Sequence, residues 1–197
     1  MRRFNDRLFP FLLLAGAVAP VLAAQPGPGD KAPDFSLSSL RGSTVTLSEV
    51  TAKGAAVLLV LRGFPGYQCP ICNRQVQDFL TNADAFVAAG ARVVMVYPGP
   101  AGDLDARAAE FTAGKEMPEH IEFLLDPGYK FTNLYGLRWD EPRETAYPST
   151  FVIDRRGVVR FARISKTHGG RTSAAEVIAF LSKLKAAFLG TSERALR

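Results

Sequence analysis

Apolar runs of two kinds along the chain predict strands that alternate with helices. Continuous or alternating runs of strand length occur at residues 44–47, 55–61, 92–97, 121–125, 150–153 and 158–164. The run at 55–61 contains no polar residue, which is typical of a strand covered on both faces. The last two runs flank Asp154-Arg155-Arg156-Gly157, a composition that predicts a hairpin turn.

Between these strands, apolar residues recur every three or four positions, as expected for the buried face of a helix. The longest such segment begins at Cys69 and ends at Gly90, and its apolar positions are Val76, Phe79, Leu80, Ala83, Phe86 and Val87. Further helices are predicted over 104–111, over 130–135 and after the capping box Ser173-x-x-Glu176. Strands alternating with helices, followed by a terminal hairpin and helix, predict an α/β fold with a central mixed sheet.

The first 24 residues have the composition of an export signal. Arg2, Arg3 and Arg7 provide a positive start, an almost wholly apolar run follows at 8–22, and small residues come next. The run is short for a membrane-spanning helix, which needs about 20 residues, although an uncleaved anchor is the alternative. We expect a signal peptide at 1–24 and a protein that is periplasmic or secreted, in contact with a membrane only if the signal is uncleaved.

The remaining chain is predicted to be one domain. Removal of the signal leaves about 170 residues, which suffice for one sizeable core. We expect a flexible lead-in at 25–30, where Pro and Gly are frequent, and a compact domain over 31–190. The formal net charge falls from +5 to +3, because three arginines and one aspartate are lost. This mild charge is not concentrated in a basic stretch, so a nucleic-acid partner is not expected.

Cys69 and Cys72 are the only two cysteines, and they lie where the strand at 55–61 passes into a helix. Unpaired amides and the helix dipole stabilise a thiolate at a helix start, which favours a redox-active pair. A structural disulfide is the alternative, but a two-residue loop would stabilise the fold little. A metal site is disfavoured because His120 and His168 lack a finger-like spacing. We expect neither a metal nor an organic cofactor.

The order of these segments resembles a known family. Residues 29–37, the stretch Pro65-Gly66-Tyr67-Gln68-Cys69-Pro70-Ile71-Cys72 and the hairpin at 151–157 are similar to the peroxiredoxin branch of the thioredoxin-fold superfamily. More closely, they look like the alkyl hydroperoxide reductase and thiol-specific antioxidant family. The resemblance runs from about residue 29 to 184. It implies a thioredoxin-like α/β fold, with a central mixed β-sheet flanked by helices, and a thiol-based antioxidant activity.

The active-site motif of that family reads Pro-x-x-x-Thr/Ser-x-x-Cys. The resemblance therefore implies that Cys72 is the peroxidatic cysteine and that Pro65 shields it. Cys69 takes the place of the hydroxyl residue, and a thiol is a poor hydrogen-bond donor to peroxide. The same replacement creates a thioredoxin-type Cys-x-x-Cys. By that second resemblance Cys69 attacks a disulfide and Cys72 resolves the mixed intermediate.

A second departure from the family lies at Pro148. Peroxiredoxins usually carry an activating arginine at this position, whereas Pro148 resembles the cis-proline of thioredoxins. The alternative is a trans proline that opens an edge strand. Arg62 and Arg74 are the arginines near the motif that can lower a cysteine pKa through their charge. For Arg74 the alternative is a solvated position on the helix.

Three functions follow from these observations. The first is a peroxiredoxin-like enzyme that reduces peroxides through the Cys-x-x-Cys pair, and we favour it on the overall pattern. The second is a thioredoxin-like oxidoreductase acting on protein disulfides. The third is a non-catalytic binding module with a structural disulfide. The expected partners of an enzyme are a peroxide or protein disulfide as substrate and a thiol reductant, either thioredoxin-like or a small thiol.

Overall fold

The structure, a computed structural model, describes residues 24–195. The predicted export signal therefore lies, except for its last residue, outside the described residues. No helix in the described part is long and apolar enough to cross a membrane. The elements are β1 (Ser36–Ser38), β2 (Thr44–Thr46), α1 (Leu47–Lys53), β3 (Ala55–Val60), α2 (Pro70–Thr81), α3 (Ala83–Ala88), β4 (Ala91–Gly99), α4 (Leu104–Thr112), β5 (Ile121–Pro127), α5 (Lys130–Leu134), β6 (Ser149–Ile153), β7 (Val159–Ile164) and α6 (Ala174–Ala195).

Five strands form the central sheet, in the order β5-β4-β3-β6-β7. β3, β4 and β5 run parallel, β6 lies antiparallel to β3, and β7 lies antiparallel to β6. The predicted mixed sheet and the predicted terminal hairpin are thus confirmed. Every residue from Ala56 to Val60 in β3 is buried, because this strand has a neighbour on each side and helices on both faces. β1 and β2 form a separate two-stranded sheet.

Alternate residues of β3 point into two different cores. Val57 and Leu59 pack with α2, α3, α4 and α6 on one face of the sheet. Ala56, Leu58 and Val60 pack with α1, α5 and the first strands on the other face. The fold is therefore the expected thioredoxin-like α/β architecture, a mixed sheet between two layers of helices.

The helix predicted from Cys69 to Gly90 is interrupted at Asn82, which separates α2 from α3. The side-chain amide of Asn82 donates to the carbonyl oxygen of Asp78 at 2.8 Å, and this local hydrogen bond competes with a continuous helix. Phe86 after the break is buried, but Val87, predicted on the same face, is 51% exposed. The prediction for Val87 was wrong because the break changes the direction of the helix face.

Pro148 is not a cis-proline, because no cis peptide bond occurs in the described chain. The alternative of a trans proline that opens a strand is confirmed, but the strand is not an edge strand, since β6 pairs with β3 on one side and β7 on the other. Pro148 lies just before β6 begins at Ser149, where its missing N–H costs the sheet no hydrogen bond. Its carbonyl oxygen accepts the backbone N–H of Ser165 at 2.9 Å, which attaches the loop after β7 to this point.

Residues 25–30, for which the sequence predicts a flexible lead-in, hydrogen-bond to the domain. The side-chain amide of Gln25 donates to the carbonyl oxygen of Gly136 at 2.8 Å. The backbone N–H of Gly29 donates to the carbonyl oxygen of Val159 at 2.8 Å, and Val159 donates in return to Asp30 at 2.9 Å. The segment thereby pairs with the start of β7, the outer strand of the sheet.

Candidate active site

A tight loop after β3 brings the two cysteines to the start of α2. Gly63 in this loop has a φ of +72°, and a Cβ there would lie 1.8 Å from the carbonyl oxygen of Pro98, so only glycine fits. Cys69 is the N-cap residue of α2, and its Sγ accepts the backbone N–H of Cys72 at 3.4 Å. Pro70 follows at the first helical position, where a missing N–H leaves no hydrogen bond unmade.

The two thiols are free and almost completely buried, Cys69 being 3% and Cys72 0% exposed. The thiol of Cys72 donates a hydrogen bond to Cys69, and this bond is the largest cause that lowers the pKa of Cys69 to about 5. Burial acts against the shift, while the backbone N–H groups of Cys72 and Ile71 and the charge of Arg171 support it.

Cys72 shows the opposite behaviour, because burial and the hydrogen bond to Cys69 raise its pKa more than Arg171 lowers it. At neutral pH the pair therefore holds one thiolate and one proton. The lowered pKa of Cys69 and the raised pKa of Cys72 favour the thiolate on Cys69 and the proton on Cys72. This division is suited to a reaction in which one sulfur attacks and the other supplies the second thiol.

The positive charge at these sulfurs comes from Arg171, in the loop between β7 and α6. Its Nη1 donates to Sγ of Cys72 at 3.2 Å, and its Nη2 lies 3.9 Å from Sγ of Cys69. Nη1 also contacts Oε1 of Gln75 at 3.2 Å. The buried amide of Gln75 in turn donates to the carbonyl oxygen of Thr172 at 3.0 Å, which attaches this loop to α2.

Sequence reasoning did not find Arg171, because 99 positions separate it from Cys72 and no local pattern marks it. Of the arginines that it proposed, Arg62 is buried and forms an ion pair with Glu144, and Arg74 is exposed on α2. Neither is the guanidinium that hydrogen-bonds to the sulfurs. The sequence gives only indirect evidence for Arg171. The second strand of the predicted hairpin runs in the same direction as β3, so the loop that follows it starts near the carboxyl end of β3.

The remaining predicted residues lie close to the cysteines in sequence or in the sheet. Pro65 lies half-buried in the loop between β3 and α2, and Pro148 is buried at the start of β6. The same loop is attached to the sheet through Gln68, whose Oε1 accepts the hydroxyl of Tyr97 at 2.7 Å. The side-chain amide of Gln68 also donates to the carbonyl oxygen of Arg107 on α4 at 2.9 Å. The loop that carries Cys69 is thus attached to two other elements.

The model of the AhpC/TSA family matches residues 28–162, more than half of the chain. This chain belongs to the AhpC/TSA family. The match includes the loop, both cysteines and β6, and it ends before Arg171. The guanidinium at the sulfurs therefore comes from a part of the chain beyond the matched family region.

A relative of this AhpC/TSA chain is the chloroplastic peroxiredoxin Q of Oryza sativa subsp. japonica, which is 31% identical over 133 residues. The alignment covers 68% of this chain and 57% of the rice protein, so the chain spans little more than half of that relative.

Two solved structures are similar to this AhpC/TSA chain in fold. Peroxidoxin BcpB from Mycobacterium tuberculosis has a TM-score of 0.62 at 21% identity, over 80% of this chain and 97% of that one. A yeast mitochondrial 1-Cys peroxiredoxin has a TM-score of 0.65 at 17% identity, over 81% and 76%. At these identities the two structures show the shared thioredoxin-like fold.

Proposed function

We propose that this chain is a thiol-dependent peroxidase that uses Cys69 and Cys72 as its redox pair. Membership of the AhpC/TSA family supports this class of reaction. The observation that carries the proposal is the arrangement at the start of α2. A thiolate at the N-cap accepts a hydrogen bond from a second thiol, and the guanidinium of Arg171 lies against both sulfurs.

The reaction starts with the thiolate of Cys69, which attacks one oxygen of a hydroperoxide. The O–O bond breaks, Cys69 becomes a sulfenic acid, and the other oxygen leaves as an alkoxide or hydroxide that takes a proton from water. The positive charge of Arg171, whose Nη2 lies 3.9 Å from Sγ of Cys69, stabilises the thiolate and the negative charge that moves onto the leaving oxygen.

Cys72 then closes the cycle. Its sulfur attacks the sulfur of the sulfenic acid, an S–S bond forms, and the S–O bond breaks. The hydroxide that leaves takes the proton of the Cys72 thiol and becomes water. Two thiols have then given two electrons to one peroxide. Since Cys72 already hydrogen-bonds to Cys69, this step needs no large movement of α2.

The geometry favours this order over the one that the family motif implies, in which Cys72 attacks first. The nucleophile in such chemistry is a thiolate, and Cys72 is a fully buried thiol with a raised pKa. Sγ of Cys69 accepts hydrogen bonds from the thiol and the backbone N–H of Cys72, and the positive charge of Arg171 also lowers its pKa. The replacement of the family's hydroxyl residue by Cys69 therefore supplies a nucleophile and leaves Cys72 as the resolving thiol.

A thiol reductant must return two electrons to the Cys69–Cys72 disulfide. In the yeast mitochondrial 1-Cys peroxiredoxin the thiol is resolved via glutathione/thioredoxin systems, and we propose a partner of the same kind, a thioredoxin-like protein or a small thiol. We also propose that the protein works outside the cytoplasm, in the periplasm or after secretion. Support for this location comes from the arginines and apolar run at residues 1–24.

A second candidate function is thiol–disulfide exchange on proteins, and the low pKa of Cys69 favours it as well. In that reaction Cys69 forms a mixed disulfide with a substrate, and Cys72 releases it. A side-by-side assay of the purified protein separates the two functions. The peroxidase proposal expects consumption of a hydroperoxide at the expense of a thiol reductant, with slow reduction of an insulin-type disulfide. Rapid disulfide reduction without peroxide consumption would overturn it.

A further inference from the structure

Arg171 makes a further hydrogen bond besides its contacts with the sulfurs. Its Nε donates to the carbonyl oxygen of His168 at 3.0 Å, while its Nη1 donates to Cys72. Two glycines, Gly169 and Gly170, separate His168 from Arg171, and Gly170 has a φ of +69°. A stretch this rich in glycine has little conformational preference of its own. The carbonyl oxygen of His168, together with the side chain of Gln75, therefore orients the guanidinium.

Glu144 is the residue that fixes the ring of His168. Nε2 of His168 lies 2.8 Å from Oε1 of Glu144, and the ring also lies against Trp139, with 5.3 Å between ring centroids. The glutamate side chain is only 10% exposed, whereas that of His168 is 46% exposed. The histidine thus reaches from the surface to a carboxylate that is itself almost buried.

The carboxylate of Glu144 is kept ionised and immobile by Arg62. Nη2 of Arg62 donates to Oε1 of Glu144 at 2.9 Å, and Nε of Arg62 donates to Oε2, which makes the pair bidentate. Burial raises the pKa of Glu144, but the hydrogen bonds from Arg62 and His168 outweigh it and leave the pKa lowered. Arg138 adds a hydrogen bond to the carbonyl oxygen of Glu144 at 3.2 Å.

We propose that Glu144, acting through His168, is a positioning residue that holds Arg171 against the two sulfurs. A continuous series of hydrogen bonds joins the carboxylate of Glu144 to Sγ of Cys72, by way of His168 and Arg171. Arg62 supports this series through its ion pair with Glu144. An effect of Glu144 on peroxide turnover rests on the proposed peroxidase function. An effect of Glu144 on the pKa of Cys69 does not, and it can be measured without a peroxide.

The test uses two variants of the partly exposed His168 in the full chain. His168→Ala removes the hydrogen bond to Glu144, and His168→Gln keeps an N–H group that can donate to the carboxylate. Alkylation of Cys69 by iodoacetamide is followed against pH by mass spectrometry. We expect the apparent pKa of Cys69 to rise in the alanine variant, with a three- to tenfold lower alkylation rate near pH 4, below the pKa of about 5 in the unchanged protein, which is about the effect of one lost hydrogen bond. The glutamine variant should recover most of the loss.

A double-mutant cycle decides whether the effect passes through Arg171. His168→Ala should have no further effect on alkylation in an Arg171→Ala background. An equal loss in both backgrounds would overturn the inference, and so would an alanine variant that alkylates like the unchanged protein. Glu144→Gln should lower the alkylation rate as His168→Ala does, provided that its melting temperature shows a folded protein. If these shifts occur but the unchanged protein does not consume peroxide, the positioning role stands and the peroxidase proposal fails.

Discussion

The guanidinium of Arg171 donates a hydrogen bond to Sγ of Cys72 at 3.2 Å, although 99 positions separate the two residues in the chain. The sheet explains the meeting. Val60 at the end of β3 pairs with Ser149 of β6, and Ser149 pairs with Ile164 at the end of β7. The carboxyl ends of β3 and β7 therefore lie at the same end of the sheet, and the loops that follow them lie close together. One supplies the sulfurs and the other supplies the charge.

Removal of this charge should slow the first chemical step. A hydrogen bond to a charged group contributes about 1.5–3 kcal/mol, so we expect Arg171→Ala to lower the rate constant for peroxide about 10- to 100-fold. Arg171→Lys keeps the charge but loses the planar set of N–H donors. Its rate constant should lie between those of the unchanged protein and Arg171→Ala. Stopped-flow oxidation of the reduced protein measures these rates.

Arg74→Ala is the matched control, since Arg74 is exposed on α2. It should change the rate by less than about twofold, as is usual for an exposed surface charge. A large loss in Arg74→Ala together with an unchanged Arg171→Ala would mean that the site uses a different cation.

The lowered pKa of Cys69 makes a prediction about pH. An ordinary cysteine loses its thiolate below about pH 8.5, but the thiolate of Cys69 should persist until the pH falls to about 5. Alkylation of Cys69 should therefore be nearly constant from pH 8 to pH 6 and should decline around pH 5. Mass spectrometry of the alkylated peptide across this range gives the midpoint.

Two substitutions of Cys72 test the cause of that shift. Cys72→Ala removes the hydrogen-bond donor that is the largest cause, so the midpoint should move upward toward the ordinary value. Cys72→Ser keeps a hydroxyl that can donate, and its midpoint should stay lower than that of the alanine variant. Equal midpoints in all three proteins would remove the Cys72 thiol as the cause.

Much of this architecture could be predicted from local patterns. The apolar run at 55–61 predicts the buried central strand, and the Asp154–Gly157 segment predicts the hairpin, because in both the determining residues are neighbours in sequence. The position of the cysteines at a helix start followed in the same way. The helix break at Asn82 was harder to predict. It depends on one side-chain hydrogen bond to Asp78, which the apolar periodicity does not reveal.

The electrostatics of the site could not be predicted from the sequence. Arg62 precedes the motif in sequence, yet its charge is occupied by Glu144, 82 positions away. Arg171 lies far from the motif, yet it contacts both sulfurs. The arginine that contacts the sulfurs is determined by contacts between loops that come together only in the folded protein. A single sequence carries no local pattern that reveals such contacts.

Asp154 should be important for stability at the hairpin. Its Oδ1 accepts the backbone N–H groups of Arg156 at 2.8 Å and Val158 at 3.0 Å, and its Oδ2 accepts Nε of Arg160 at 2.7 Å. Asp154→Ala loses all three bonds, and we expect it to lower the free energy of unfolding by about 2 kcal/mol. Asp154→Asn can keep the Oδ1 bonds and should lose less. Urea unfolding at pH 7 measures both.

The same variants predict a dependence on pH. Burial raises the pKa of Asp154. The hydrogen bonds from the backbone N–H groups of Val158 and Arg156 and from Arg160 outweigh burial, so the pKa is lowered overall. A lowered pKa means that the stabilisation is complete above about pH 4 and is lost as the pH falls through the folded-state value. The difference between the unchanged protein and Asp154→Asn should therefore shrink in strong acid. A difference that grows on acidification would contradict this assignment.

If residues 1–24 are an export signal, as proposed, they determine where the mature protein begins. After expression in a bacterium with an active export pathway, N-terminal sequencing of the soluble protein should find a start near Ala24 or Gln25, in the extracytoplasmic fraction. An intact Met1 on a soluble cytosolic protein would count against export.

In the proposed cycle Cys69 attacks the peroxide and Cys72 resolves the sulfenic acid. Two single variants, Cys72→Ser and Cys69→Ser, are treated with one equivalent of peroxide and a sulfenic-acid probe, and the labelled cysteine is located by mass spectrometry. Without its resolving thiol, Cys72→Ser should be labelled at Cys69, while Cys69→Ser should remain almost unlabelled. Labelling of Cys72 in the Cys69→Ser protein, with no labelling of Cys69 in the Cys72→Ser protein, would instead show that Cys72 attacks first.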